Sequence, residues 1–101
     1  PSHIKGYKYL VTGIKKSLTN EKILKKVTGE NGLYAVVKEK HDDSFNSVEN
    51  AMRYAIKKTW ENGNKELLDK IFGHTVHSYN NIPKTSQFVN QIKEEFKEGR
   101  I

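Results

Sequence analysis

Between residues 44 and 62, apolar side chains return at intervals of three and four: Val48, Ala51, Met52, Ala55 and Ile56. That spacing gathers them on one face of an α-helix, and such a face has to be buried against the rest of the chain. Ser44 stands just before the periodic stretch, where its hydroxyl can accept an otherwise unpartnered backbone N–H of the first turn. The opposite face is polar throughout. At roughly 100° per residue, Asn46, Glu49, Asn50, Arg53 and Lys57 fall in one narrow exposed stripe. Those residue types hydrogen-bond base edges and phosphates. An ordinary surface helix with a solvated polar face carries the same pattern.

The residues just upstream sharpen this reading. Leu33 to His41 reads as a short helix with Leu33, Val36 and Val37 inward, and Asp42-Asp43-Ser44 as a tight turn. Tyr34-Ala35-Val36-Val37 alone also fits a strand, but its brevity and the Lys-Glu-Lys that follows favour helix. Helix, turn and longer helix, over about residues 33–62, is the order of a helix-turn-helix. There the first helix braces a second whose N-terminal residues enter the major groove.

The chain of 101 residues suffices for one domain with one modest core. Its net charge of +6 suits an acidic partner such as nucleic acid. The basic excess is almost all lysine, the only arginines being Arg53 and Arg100. Lysine attracts phosphate but lacks the planar fork that suits guanine, so Arg53 stands out. Without cysteine there are no disulfides, thiolate metal sites or cysteine nucleophiles. No apolar run reaches membrane-spanning length and no signal peptide is visible, so a cytoplasmic chain with no membrane partner is expected. The start at Pro1 suggests a fragment with a further domain upstream.

Taken in order, Ile4, Tyr7, Leu10, Val11, Ile14 and Leu18 predict a first helix over about 4–18, with Lys5, Lys8, Lys15 and Lys16 outside. Thr19 or Asn20 can cap a short second helix through Ile23, Leu24 and Val27, ended near Thr28-Gly29. The long helix should stop near Asn62-Gly63-Asn64, with Trp60 off its main stripe and packed under a later segment. Lys65 to Phe72 reads as a short fifth helix, His74 to Lys84 as a surface loop. Thr85 or Ser86 can cap a last helix with Phe88, Val89, Ile92 and Phe96 inward. The expected fold is all-α, a compact bundle of about six helices containing a helix-turn-helix.

Several motifs then match a known family in order and at its spacings. They are His-x-Ile-Lys-Gly-Tyr-x-Tyr-Leu (His3 to Leu10), the Leu33-Tyr34 helix start, and the Val48-Glu49 to Trp60 block with Ala51, Arg53, Ala55 and Ile56. Gly63-Asn64, Phe72-Gly73-x-Thr75-Val76, and Pro83, Ser86 and Phe88 follow. The chain resembles, over nearly its whole length, the C-terminal effector domain of the sporulation response regulator called stage zero sporulation protein A.

The resemblance implies a single all-helical effector domain that regulates transcription, activating or repressing, as the output of a phosphorelay-type two-component system. Its long helix would read the major groove of a TGTCGAA-like box in double-stranded DNA. It also implies a homodimer arranged in tandem on adjacent boxes, and an upstream receiver domain absent from this chain. Contact with the RNA polymerase sigma subunit would run through Lys65 to Val76, with Lys65, Asp69, Phe72 and Val76 as candidates. Glu49 and Arg53 occupy positions of base contact: Arg53 suits guanine O6 and N7, and Glu49 a cytosine amino group. Asn46 and Asn50, on the same stripe, complete the candidate base contacts. Ser44, Ser47, Lys57, Lys38 and Lys40 are the candidate phosphate contacts. At Ser47 and Asn50 relatives carry arginine, and asparagine suits adenine better than guanine.

Other constellations carry less. His74 and His77, with His3 and His41 elsewhere, lack a clear third ligand, so no metal is expected. Asp42-Asp43 fits a turn and a helix start better than an acid–base pair. Neither Ser44 nor Ser47 has a histidine at a nucleophile-activating spacing, and there is no glycine-rich phosphate loop. No catalytic residue, enzyme activity or cofactor is expected. A helical protein-interaction module with weak or nonspecific DNA binding is the alternative. RNA binding has little support, because no stacking platform is visible.

Overall fold

The computed structural model of the protein describes residues 2–63, 66, 68, 71 and 82–100. In chain order these form α1 (Ser2–Thr19), a 3-10 turn (Glu21–Leu24), α2 (Leu33–His41), α3 (Phe45–Asn62) and α4 (Thr85–Lys97). The class is all-α, with no strand among the described residues. The expected count of about six helices is not matched: the described residues hold four α-helices and one 3-10 turn.

Helix α3 is the central element and follows its sequence pattern closely. The Ser44 hydroxyl accepts the Ser47 N–H at 3.1 Å, capping the first turn. Val48, Ala51, Met52, Ala55 and Ile56 are all buried. Trp60, off that stripe, is buried as well. The Gly63 N–H closes the last turn on the Thr59 carbonyl at 2.7 Å.

Helix α1 is rotated from its expected register. Tyr9, Leu10 and Ser17 are buried with Gly6 and Gly13, whereas Ile4, Tyr7 and Val11, expected inward, are exposed. The cause is the closeness of α1 to α3. A Cβ on Gly6 would lie 2.1 Å from the Ala51 carbonyl oxygen. Only a glycine face allows that approach, so the bulkier apolar residues turn away from the crossing.

The expected second helix is only one 3-10 turn, capped by the Asn20 side chain on the Lys22 N–H. Beyond it the carbonyls of Lys26 and Val27 accept from Gly29 and Tyr34, which diverts the acceptors a continuing helix would use. This fold-back brings Gly32 so close to Lys26 that a Cβ would sit 1.9 Å from its carbonyl oxygen. Helix α2 buries Leu33, Tyr34 and Val37, with Val36 partly covered, and the Tyr34 ring meets Phe45 edge-on. It ends on Asp42 in the left-handed region (φ 51°). That conformation is one that aspartate tolerates better than most residues.

Most of the expected helix Lys65–Phe72 lies outside the described residues, although Leu68 and Ile71 pack on the core. Of the expected loop, residues 74–81 lie outside them too. Helix α4 is capped one residue early, at Lys84, whose N–H donates to Gln87 Oε1 at 3.0 Å. Phe88 and Val89 are buried and Ile92 partly so, but Phe96, expected inward, is 57% exposed. Here the chain turns back through Gly99 (φ 71°), and Arg100 reaches Glu95 instead. Glu95 and Lys93 take the inner positions of this helix, each with charged partners.

Candidate nucleic-acid interface

The start of α3 is fixed to α1 through one carboxylate in the preceding turn. Asp43 Oδ1 accepts the Ser44 N–H at 2.7 Å. Its Oδ2 accepts the Tyr9 hydroxyl at 2.5 Å and the Ser47 hydroxyl at 3.0 Å, and pairs with Lys5 Nζ at 2.9 Å. Lys5 Nζ also donates to Ser47 Oγ at 2.6 Å. Tyr9 first, then Lys5 and the Ser44 amide, hold the Asp43 carboxyl well below the usual carboxylate range. Burial, reinforced by Asp43, pushes the Tyr9 hydroxyl up to about 12. The polar face of α3 is thereby held in a set rotation relative to α1.

On that face Asn46, Asn50, Arg53 and Lys57 are exposed and Glu49 is half-buried. Glu49 Oε2 lies 3.5 Å from an Arg53 guanidinium nitrogen, one turn along the helix. An exposed pair of this kind adds little stability, but it restricts where the guanidinium points. Arg53 keeps 65% of its side chain exposed and so remains accessible to a ligand.

The stripe has a different neighbour on each flank. On the Ser47 side lies the N-terminal part of α1, joined through Lys5. On the Glu49 and Ile56 side opens a cleft of about 690 Å³, which Arg53 and Lys57 share with Thr28, Lys84 and Ser86. Tyr34, Ile56 and Pro83 are among its apolar lining.

The structure gathers Asn46, Glu49, Asn50, Arg53 and Lys57 as expected. Ser44 and Ser47, two of the candidate phosphate contacts, are engaged internally: one hydroxyl caps α3, and the other bridges Lys5 and Asp43. Lys38 and Lys40 are exposed in the last turn of α2. Lys65, Asp69, Phe72 and Val76 lie outside the described residues, as do His74 and His77. His41 shares a hydrogen bond with Thr12 at 2.7 Å and packs its ring on Tyr9. Among the described residues no group of three or more His, Cys, Asp or Glu side chains gathers to hold a metal ion. No described helix is long and apolar enough to cross a membrane.

Sequence reasoning placed Lys5 outside and gave Asp43 a part in the turn and the helix start, not in a link to α1. No local pattern marked their pairing. Thr28 and Ser86 read in the sequence only as a helix end and a helix cap, and Lys84 only as the end of a loop; nothing in the sequence placed the three beside α3, since segments far apart in sequence meet only in the folded chain.

A family model described as "Sporulation initiation factor Spo0A C terminal" matches residues 1–96. With nearly the entire length matched, the chain belongs to the family of the Spo0A C-terminal domain of sporulation initiation factors.

Proposed function

We propose that this chain is a sequence-specific double-stranded DNA-binding domain of a sporulation transcription regulator, with α2, the turn and α3 acting as its helix-turn-helix. The observation that carries the reading is the polar stripe of α3. Five residues able to read bases or touch phosphate share one exposed face of a helix whose opposite face is the core. Arg53 donates to guanine O6 and N7, Glu49 accepts from a cytosine amino group, and Asn46 and Asn50 meet neighbouring pairs, asparagine favouring adenine. Lys57, Lys38 and Lys40 supply phosphate contacts. The box is TGTCGAA-like, altered where Ser47 and Asn50 replace arginines of relatives. Two copies bind adjacent boxes in tandem, and the region from Lys65 to Val76 meets the polymerase sigma subunit, so box position decides between activation and repression.

Selection of the domain against random duplex DNA, with enriched duplexes retested at two salt concentrations, tests this reading. One enriched box with a guanine in the Arg53 register supports it. Absence of any enriched motif, with affinity that merely falls with salt, overturns sequence reading and favours the helical interaction module.

A further inference from the structure

The cleft beside α3 has a composition that the base-reading stripe alone does not account for. Its α3 wall carries Arg53 and Lys57, and its far wall carries Lys84, Ser86 and Thr28, three residues from two other segments. Lys84 and Thr28 are exposed and Ser86 is half-buried. Between the walls lie apolar side chains, among them Ile56 and Pro83. Among the described lining residues Glu49 is the one acidic side chain, and it is paired with Arg53.

A helix seated in the major groove, about 12 Å wide, has a phosphate strand along each side. One flank of α3 is filled by α1, and the other is this cleft. We infer that the cleft seats the sugar–phosphate backbone of one DNA strand, with Lys84, Ser86 and Thr28 as phosphate ligands opposite Lys57. The apolar lining accommodates deoxyribose, while ammonium and hydroxyl groups on the rim meet the phosphates. These contacts hold the duplex in register and carry no sequence information. The inference rests on the reading that this chain binds duplex DNA, but not on which bases Arg53 reads.

The test compares Lys84→Ala with Lys16→Ala, an equal charge change on the exposed C-terminal part of α1, with helicity checked for both. Binding to the selected duplex and to an unrelated duplex is measured by fluorescence anisotropy across a salt series. Lys84→Ala is expected to weaken both duplexes by the same factor and to make the log–log salt slope shallower by about 0.9, with base preference unchanged. Neutralising backbone phosphates one at a time as methylphosphonates should find one whose loss weakens the parent but not Lys84→Ala. Equal slopes for the Lys84 and Lys16 variants, with no phosphate coupled to Lys84, overturn the inference even if a specific box is found. If Arg53→Ala leaves base preference intact while Lys84→Ala shows the slope change, base reading by Arg53 fails and the backbone seat stands.

Discussion

The Tyr9 hydroxyl donates to Asp43 Oδ2 at 2.5 Å, across 34 residues of sequence, and so ties the middle of α1 to the turn that launches α3. Both groups titrate away from their ordinary values, and each does so in the direction that favours this bond in the folded chain.

Stability should therefore depend on pH at both extremes. Asp43 is lowered in the folded state, so its contribution is present above its unfolded value of about 3.9 and fades as pH falls below that. Tyr9 is raised to about 12, so its contribution is complete below about pH 10 and is lost as pH climbs through 12. Urea midpoints measured against pH should show both losses in the parent. Tyr9→Phe should flatten the alkaline limb and Asp43→Asn the acid limb. A Tyr9→Phe curve parallel to the parent above pH 10 would count against the bond.

Gly6→Ala should destabilise the fold where Gly13→Ala does not. At Gly6 the added Cβ meets the Ala51 backbone oxygen at 2.1 Å, and backbone cannot step aside. At Gly13 the obstacle is Leu33 Cδ1 at 2.8 Å, the far end of a side chain that can rotate. Alanine gains about 0.5–1 kcal/mol in a helix interior, which offsets the crowding at Gly13. Overpacking of about 1–3 kcal/mol should dominate at Gly6. Urea denaturation of the two variants checks the order, and equal midpoints would remove the close crossing of α1 and α3 as a constraint.

A third prediction concerns Lys93, which is 3% exposed and pairs with Glu21 at 3.0 Å and Glu94 at 3.2 Å. Burial alone would lower its pKa, but the two carboxylates outweigh that and leave it raised. Glu21→Ala strips a covered cation of one partner, whereas Lys93→Met removes the charge and keeps the apolar stem. Thermal unfolding should therefore rank Lys93→Met above Glu21→Ala. Lys97→Ala, which removes an exposed second cation from Glu21, should be the mildest of the three.

These cases show which parts of the molecule the sequence disclosed. Val48, Ala51, Met52, Ala55 and Ile56 announce α3 because burial there is carried by hydropathy, and Ser44 marks its start because capping is local chemistry. Hydropathy located α1 but misjudged its inward face, since Gly6 and Gly13 carry no apolar signal yet decide which face meets α3. Phe96, expected inward from its spacing alone, is exposed, while Arg100, arriving from beyond the helix end, pairs with the inner Glu95. The stripe of candidate base readers was legible from helical spacing. Lys5, Lys84 and Thr28 were not, because their neighbours on α3 come from distant sequence.

The Glu49–Arg53 pair yields the sharpest test of the proposed site. Arg53→Ala should lower affinity for the selected box by about 1–3 kcal/mol, roughly fivefold to 150-fold, and relax preference at one guanine. Arg53→Lys should not restore it, because an ammonium lacks the bidentate fork. Lys57→Ala should instead weaken every duplex alike and reduce the salt slope by about 0.9. Since Glu49 lies 3.5 Å from the guanidinium, Glu49→Ala removes its own base contact and also frees Arg53 to point elsewhere. The Glu49→Ala/Arg53→Ala double variant should then lose less than the sum of the single losses, because the two residues act as a unit. Competition binding on duplexes substituted at each position, repeated across a salt series, measures these effects. An Arg53→Ala protein that binds every duplex as the parent does would remove Arg53 from the reading face.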